Sequence, residues 1–488
     1  MFALALALLA APAPTEDLAA RLRHLDSAAA AWAPAPSPDA TRVAFMTTLF
    51  GTLQAASMAM DGGYPTQLTD EPGGLLSVRY VPYDPKRLVV VALREGKRRI
   101  LVVDDEGGPA AVLDPAPGEQ MVGGFARDGK KLFYALIDGE KISLRISALD
   151  TGKWLEVAPP PPAAGVQPPA AFPLALADVL QGLIALGPPA PDGRTVLAVV
   201  RRGDAEALAV IDVASGRGDI LTAPDKPGRV RQPRFTPDGK TIYLLADGGR
   251  KTLGVDSIAL PSKARKTVYA PAQPIEAFAV SDDGHRLAVA HEANGENVFS
   301  LLELPSLRPQ PLAAPPAGAL AEGDSLLTWD RPGERIFFGW RLADDTTDAW
   351  ELRLGYGTAL RLTRSPRPGL PRNAIPRPTL IKAGDLPGWL WRPPEAERPR
   401  AAVLISTTRP RPVFDKRIAA LNFAGLAVLA VEGPPAAAQQ AALAFLKDAA
   451  EVDGRDPLVL DFERLGIDPD HPDLNALMKI ARRGGSGL

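Results

Sequence analysis

Seven times along the chain a short polar turn is followed by an apolar run, a second polar turn and, in most cases, another apolar run. The turn-and-strand segments are SPDATRVAF from Ser37, PYDPKRLVVVA from Pro82, ARDGKKLFYAL from Ala126 and APDGRTVLAVV from Ala190. TPDGKTIYLLA from Thr236, SDDGHRLAVA from Ser281 and DRPGERIFFGW from Asp330 complete the set. Runs such as 241–245 and 286–290 have the length and composition of strands. Asp-Gly supplies the tight turn before them, with Gly free to take positive φ and Asp bonding the backbone two residues on. Second strands follow in most units, as at Ile100–Asp104 and Ala209–Val213. The segments recur about every 45 residues, with one interval near 64. Such a repeat predicts a β-propeller, because one four-stranded sheet cannot cover both its faces while radially packed sheets can.

The predicted fold is therefore mainly β, a seven-bladed β-propeller over residues 33–372, followed by a small incomplete α/β domain over 373–488. The long interval has a visible cause in the Pro-rich insertion 158–173, which reads as extended and exposed. It leads into 174–186, apolar enough for a strand or a docked helix. In the tail, Ile418–Ala424, Gly425 and Leu426–Val431 read as helix, stop and buried strand.

Phe2–Ala11 is an apolar run too short to span a bilayer, and with the following Ala-Pro repeat it predicts a secretory signal over 1–13. A periplasmic or secreted protein is expected, with no transmembrane helix. A net charge of −2 gives no reason to expect a nucleic-acid or anionic-membrane partner. The absence of cysteine excludes disulfides, thiolate metal sites and cysteine nucleophiles.

The repeated aspartates Asp39, Asp84, Asp128, Asp192, Asp238 and Asp283 are read as turn residues rather than as a ring of ligands. His24, His285, His291 and His471 are read as surface residues, since a metal site needs a third ligand that the spacing does not supply. The acidic run Asp344, Asp345 and Asp348 lacks calcium-loop spacing and reads as a solvated hairpin tip. Trp329, Trp340, Trp350, Trp389 and Trp391 read as packing at a domain junction. No phosphate loop, cofactor site or metal site is predicted.

Several segments together resemble the prolyl oligopeptidase family of serine peptidases. These are Glu16–Leu22 with Ser37-Pro-Asp, then Gly62-Gly-Tyr-Pro-Thr-Gln-Leu-Thr, then Lys382–Pro393, and finally Ala402–Ile405 with Ile418–Val431. The repeats are also similar to those of TolB-type periplasmic propellers, but those carry their α/β part before the blades. The resemblance implies a lead-in helix over 14–32, an N-terminal propeller and an α/β-hydrolase domain with a Ser–His–Asp triad. Here the sequence departs from the pattern. Ser406–Pro410 stands where the family has His-Gly-Gly-Pro, and no Gly-x-Ser-x-Gly elbow occurs. Beyond residue 380 the only serines are Ser406 and Ser486, and the only histidine is His471, with no suitable serine before it. Glu463–Asp468 is the segment that could stand as the strand leading to the elbow. Residues 379–488 are about half of the ~200–250 residues of an ordinary α/β enzyme domain, enough for two or three strands and helices. No catalytic residue is assigned. The expectation is an exported, non-catalytic binding or scaffold module, with a peptide or protein partner at the propeller channel or rim; the alternatives are a serine peptidase or hydrolase of that family and a TolB-like cell-envelope component.

Overall fold

The computed structural model describes residues 18–158, 172–222, 228–260, 262–304, 306–313, 315–323, 326–394, 396–405 and 410–461, with Asp473 and Lys479 besides. The signal segment and most of the Pro-rich insertion lie outside them. The chain forms two compact units. One comprises 30–340 and 347–364; the other comprises the start of the chain, 341–346 and the segment from Ser365 onward.

The first unit is a seven-bladed propeller of antiparallel sheets. Blade 1 comprises Ala31–Pro36, Arg42–Thr47, Gln54–Ala59 and Thr66–Gln67; blade 2 comprises Leu75–Val81, Asp84–Arg94, Lys97–Asp104 and Ala111–Val112. Blade 3 follows with Glu119–Phe125, Lys131–Asp138, Lys141–Ala148 and Trp154–Glu156, and blade 4 with Leu183–Pro189, Thr195–Arg202, Ala205–Asp212 and Arg217–Ile220. Blade 5 is Val230–Phe235, Thr241–Ala246, Gly254–Ala259 and Ala264–Tyr269; blade 6 is Ile275–Val280, Arg286–Ala293, Glu296–Glu303 and Pro309–Pro311. Blade 7 holds Gly318–Leu320, Thr328–Trp329, Arg335–Leu342, Asp348–Arg353 and Thr358–Arg361.

Continuous apolar runs mark the middle strands because neighbouring blades cover both faces. In blade 4, Val196, Ala198 and Val200 pack toward blade 3, whereas Leu197 and Val199 pack toward blade 5. This is the two-residue period of a strand, with both sides buried. The segment after the insertion contains both a strand and a helix. Leu174–Ala175 adds a fifth strand to blade 4, and Leu176–Leu180 is a helix that buries Leu176, Val179 and Leu180 in the seam between blades 3 and 4.

Among the described residues every blade is built from consecutive strands, and no strand from the start of the chain pairs with blade 7. Packing closes the ring instead. Phe337 of blade 7 joins Val43, Phe45 and Met58 of blade 1, and the Ala31 N–H donates to the Thr347 carbonyl at 2.9 Å. A Cβ at Gly339 would lie 2.8 Å from the Cβ atoms of Trp32 and Ala321, so only glycine allows this approach. Buried polar triads brace two other seams. Tyr134 and Arg145 each bond Asp114 at 2.7 Å, and Tyr80 and Arg42 bond Asp105 in the same way.

The second unit contains a five-stranded sheet in the order Thr379–Ala383, Leu386–Trp391, Leu426–Val431, Arg400–Ile405 and Asp453–Asp461. That exceeds the two or three strands expected of the tail. The last three strands are mutually parallel. Val428 and Ala430 face the helices Leu18–Asp26 and Lys416–Phe423, while Ala427, Leu429 and Val431 face the helix Pro435–Asp448. Asp415 caps Lys416–Phe423 by accepting from the Arg417 and Ile418 amides. Among the described residues no helix is long and apolar enough to cross a membrane.

Candidate functional site

The repeated aspartates do the same local work in six blades. Each Oδ1 accepts the amide two residues on: Thr41 on Asp39 at 3.2 Å, Lys86 on Asp84 at 3.0 Å, Lys130 on Asp128 at 3.0 Å, Arg194 on Asp192 at 2.9 Å, Lys240 on Asp238 at 3.0 Å and His285 on Asp283 at 2.9 Å. Blade 7 shifts the role to Asp330, which accepts the Glu334 and Arg335 amides at 2.8 and 2.9 Å. The turns also brace one another. A Cβ at Gly129 would lie 2.0 Å from the Pro82 carbonyl oxygen of the preceding blade, and Cβ atoms at Gly239 and Gly284 would lie 3.3 and 3.0 Å from the ring carbons of Pro191 and Pro237.

With the aspartates occupied in the turns, the residue beside each of them is what the channel presents. These residues are Pro38, Tyr83, Arg127, Pro191, Pro237, Asp282 and Arg331, one from each blade, and all seven line a central cavity of about 770 Å³. That volume is within the ~300–1,000 Å³ of small-ligand pockets. Deeper along the first strands the wall carries Arg79, Arg234, Phe125, Phe278 and Trp329. Among the described residues, four arginines and two carboxylates, Asp282 and Asp283, line the cavity, and Asp283 is already engaged by its turn.

Two of the arginines reach past a neighbouring blade. Arg127 of blade 3 donates to the Pro237 carbonyl of blade 5 at 2.8 Å. Arg331 of blade 7 lies over the Tyr83 ring of blade 2, 4.2 Å from its centroid, a cation–π contact that leaves its N–H groups available. Asp282 is exposed at the channel mouth, with the surrounding turns crowded about its carboxyl. That crowding, the largest effect, pushes its carboxyl above the ordinary aspartate range. Arg331 and Arg127 oppose the shift, and Asp283 and Asp330 add to it. Asp283 shifts the other way, held low first by the Ser281 hydroxyl and then by the His285 amide.

A second cavity, of about 760 Å³, lies between blades 3 and 4 and shares Tyr83, Ala126, Arg127 and Pro191 with the first. Phe133, Ile146, Leu155 and Val213 give it apolar walls, and Asp128, Lys131 and Asp192 a polar rim.

The other sequence candidates fall elsewhere. The acidic run is not a solvated tip. Asp345 and Asp348 are buried beside Arg367 and Arg361, and Asp344 pairs with Arg377 at 2.7 Å. The arginines lie 13 to 33 residues downstream, beyond the reach of local reading. The tryptophans do not form one cluster. Trp340 stacks with Phe338 and Phe299 at the seam of blades 6 and 7, and Trp329 donates to the Ala279 carbonyl and lines the channel. Trp350 is buried in blade 7, and Trp391 belongs to the core of the α/β unit. His285 is exposed, but His291 is half-buried, and burial pushes its imidazole below the ordinary histidine range against the opposing charge of Glu292. His24 packs against Gly369. Ser406, His471, Ser486 and the strand candidate 463–468 lie outside the described residues.

No protein-family model matches the chain, and no curated protein matches it in sequence. Solved structures do match in fold. A puromycin-hydrolyzing peptidase of Mycobacterium tuberculosis is 16% identical with a TM-score of 0.68, over 90% of this chain and 75% of that one. A prolyl endopeptidase gives 14% identity and a TM-score of 0.64, over 87% of this chain and 64% of that one. Prolyl oligopeptidase B from Galerina marginata, bound to a 25mer macrocyclization substrate, gives 11% and 0.66, over 92% and 70%. The fold is that of the prolyl oligopeptidase-type peptidases, and this chain spans 64–75% of the length of these structures.

Proposed function

We propose that this protein is a non-catalytic, exported relative of the prolyl oligopeptidases that binds peptides in the channel of its propeller. The observation that carries the binding role is the central cavity, to which every blade contributes the same turn position. Its lateral continuation between blades 3 and 4 gives an extended chain a second, apolar place to lie. The non-catalytic part rests on the sequence, which has no Gly-x-Ser-x-Gly elbow to lift a serine above the α/β sheet. Export rests on the apolar segment at residues 2–11.

Labelling with a fluorophosphonate tests the catalytic half of the reading. No labelled serine is expected, and stoichiometric modification of Ser406 or Ser486 would make the chain a serine hydrolase. Fractionation of cells expressing a C-terminally tagged chain tests export, with the tagged product expected outside the cytoplasm.

A further inference from the structure

The central cavity has a charge bias that the ordinary net charge of the chain conceals. Arg79, Arg127, Arg234 and Arg331 line it, against Asp282 and Asp283. Asp283 is spoken for by the Ser281 hydroxyl and the His285 amide, so among the described lining residues Asp282 is the carboxylate left to answer Arg127 and Arg331. Arg127 spends one N–H on the Pro237 carbonyl, and Arg331 sets its guanidinium carbon 4.2 Å from the centre of the Tyr83 ring. Both keep donors for a planar acceptor, and a guanidinium presents paired N–H groups that match the two oxygens of a carboxylate. Low-dielectric walls of proline and aromatic side chains strengthen such a contact relative to open water.

We propose that the mouth of the channel recognises a carboxylate of the bound peptide through Arg127 and Arg331, with Asp282 acting as a resident counter-charge that the ligand must outcompete. This inference rests on the peptide-binding reading and names the chemistry of its ligand. The carboxylate comes from an acidic side chain or from a peptide C-terminus, and both present the same two oxygens.

Asp282 makes the affinity depend on pH. The groups facing it are Arg331 and Arg127, which favour its ionised form, and Asp283 and Asp330, which disfavour it. Its proton affinity is raised, so it neutralises at higher pH than ordinary carboxylates of about 3.5–4.3. Below its pKa and above theirs, the resident charge is gone while the ligand's remains. Affinity therefore rises as pH falls through the titration of Asp282, then drops when the ligand itself protonates.

The test uses the full chain and fluorescence anisotropy with three fluorescein-labelled hexapeptides. One alternates Ala and Glu and is C-terminally amidated; one alternates Ala and Gln with a free C-terminus; the third is the amidated Ala–Gln peptide. Either of the first two is expected to bind at least tenfold more tightly than the third, and which one does so identifies the source of the carboxylate. Arg331→Gln is expected to remove most of that preference while leaving the Arg127–Pro237 contact in place. Asp282→Asn is expected to raise affinity several-fold at pH 7 and to abolish the rise on acidification. This second variant keeps the test decisive if Arg331→Gln fails to fold. Equal binding of all three peptides would overturn the carboxylate inference and leave the peptide reading standing. No binding of any of them would overturn both.

Discussion

Blades 5 and 6 make the same turn from almost the same residues and turn different faces to the channel. In blade 5, Thr236 donates to Asp238 at 2.6 Å, Asp238 accepts the Lys240 amide, and Pro237 faces the cavity. In blade 6, Ser281 and the His285 amide hold Asp283 in the same way, but the residue facing the cavity is Asp282. Both turn aspartates have lowered pKa values, led in each case by the hydroxyl that precedes them. Their neighbours share no such constraint. Positions used by the turn are alike because local hydrogen bonding dictates them, and the position left over is where one blade can differ from the next.

The comparison predicts that removing bracing residues costs stability while changing mouth residues does not. The largest effect is expected from Asp114→Ala, which leaves Arg145 buried beside Tyr134 without its main counter-charge; a loss of about 3 kcal/mol in denaturant unfolding checks it. Gly129→Ala should cost about 2–3 kcal/mol, because its Cβ meets the Pro82 carbonyl at positive φ. Gly139→Ala, at positive φ but with open space around it, is the control and should cost about 1 kcal/mol. Asp238→Ala loses two hydrogen bonds at an exposed turn, and a cost of about 1 kcal/mol is expected.

At the small end, Asp282→Asn should change stability at neutral pH by less than about 0.5 kcal/mol, toward greater stability. The sign follows from linkage. A carboxyl with a raised folded pKa contributes stability below its unfolded pKa, and that contribution is lost as pH rises through the folded value. Asp283 does the reverse. Its lowered pKa contributes stability above the unfolded value, lost as pH falls through the folded one. Carboxyl-carbon NMR titration of the two adjacent side chains should show midpoints on opposite sides of the ordinary aspartate value; a shared midpoint would break the comparison.

The seven turns were legible in the sequence because an Asp that bonds the amide two residues on is a local event. The helix, glycine and strand of 416–431 were legible for the same reason. The ring at the channel mouth was not, although its signal is plain once the turns are aligned. The residue beside the aspartate reads Pro, Tyr, Arg, Pro, Pro, Asp and, in blade 7, Arg. Nothing local says that this position faces an axis; that follows only when seven sheets close around one. The acidic run 344–348 was misread because its arginine partners lie well downstream, in strands and loops whose approach the spacing does not reveal.

Gly129, Gly239 and Gly284, each set against a proline of the blade before it, have a consequence for how such a molecule can change over time. Together with the bonded turn aspartates, these braces make the rim a frame that carries seven separate fittings. Side chains at separate fittings that share no partner are expected to contribute nearly additively. A lineage can therefore retune what the channel accepts by single substitutions, without renegotiating the scaffold that holds them.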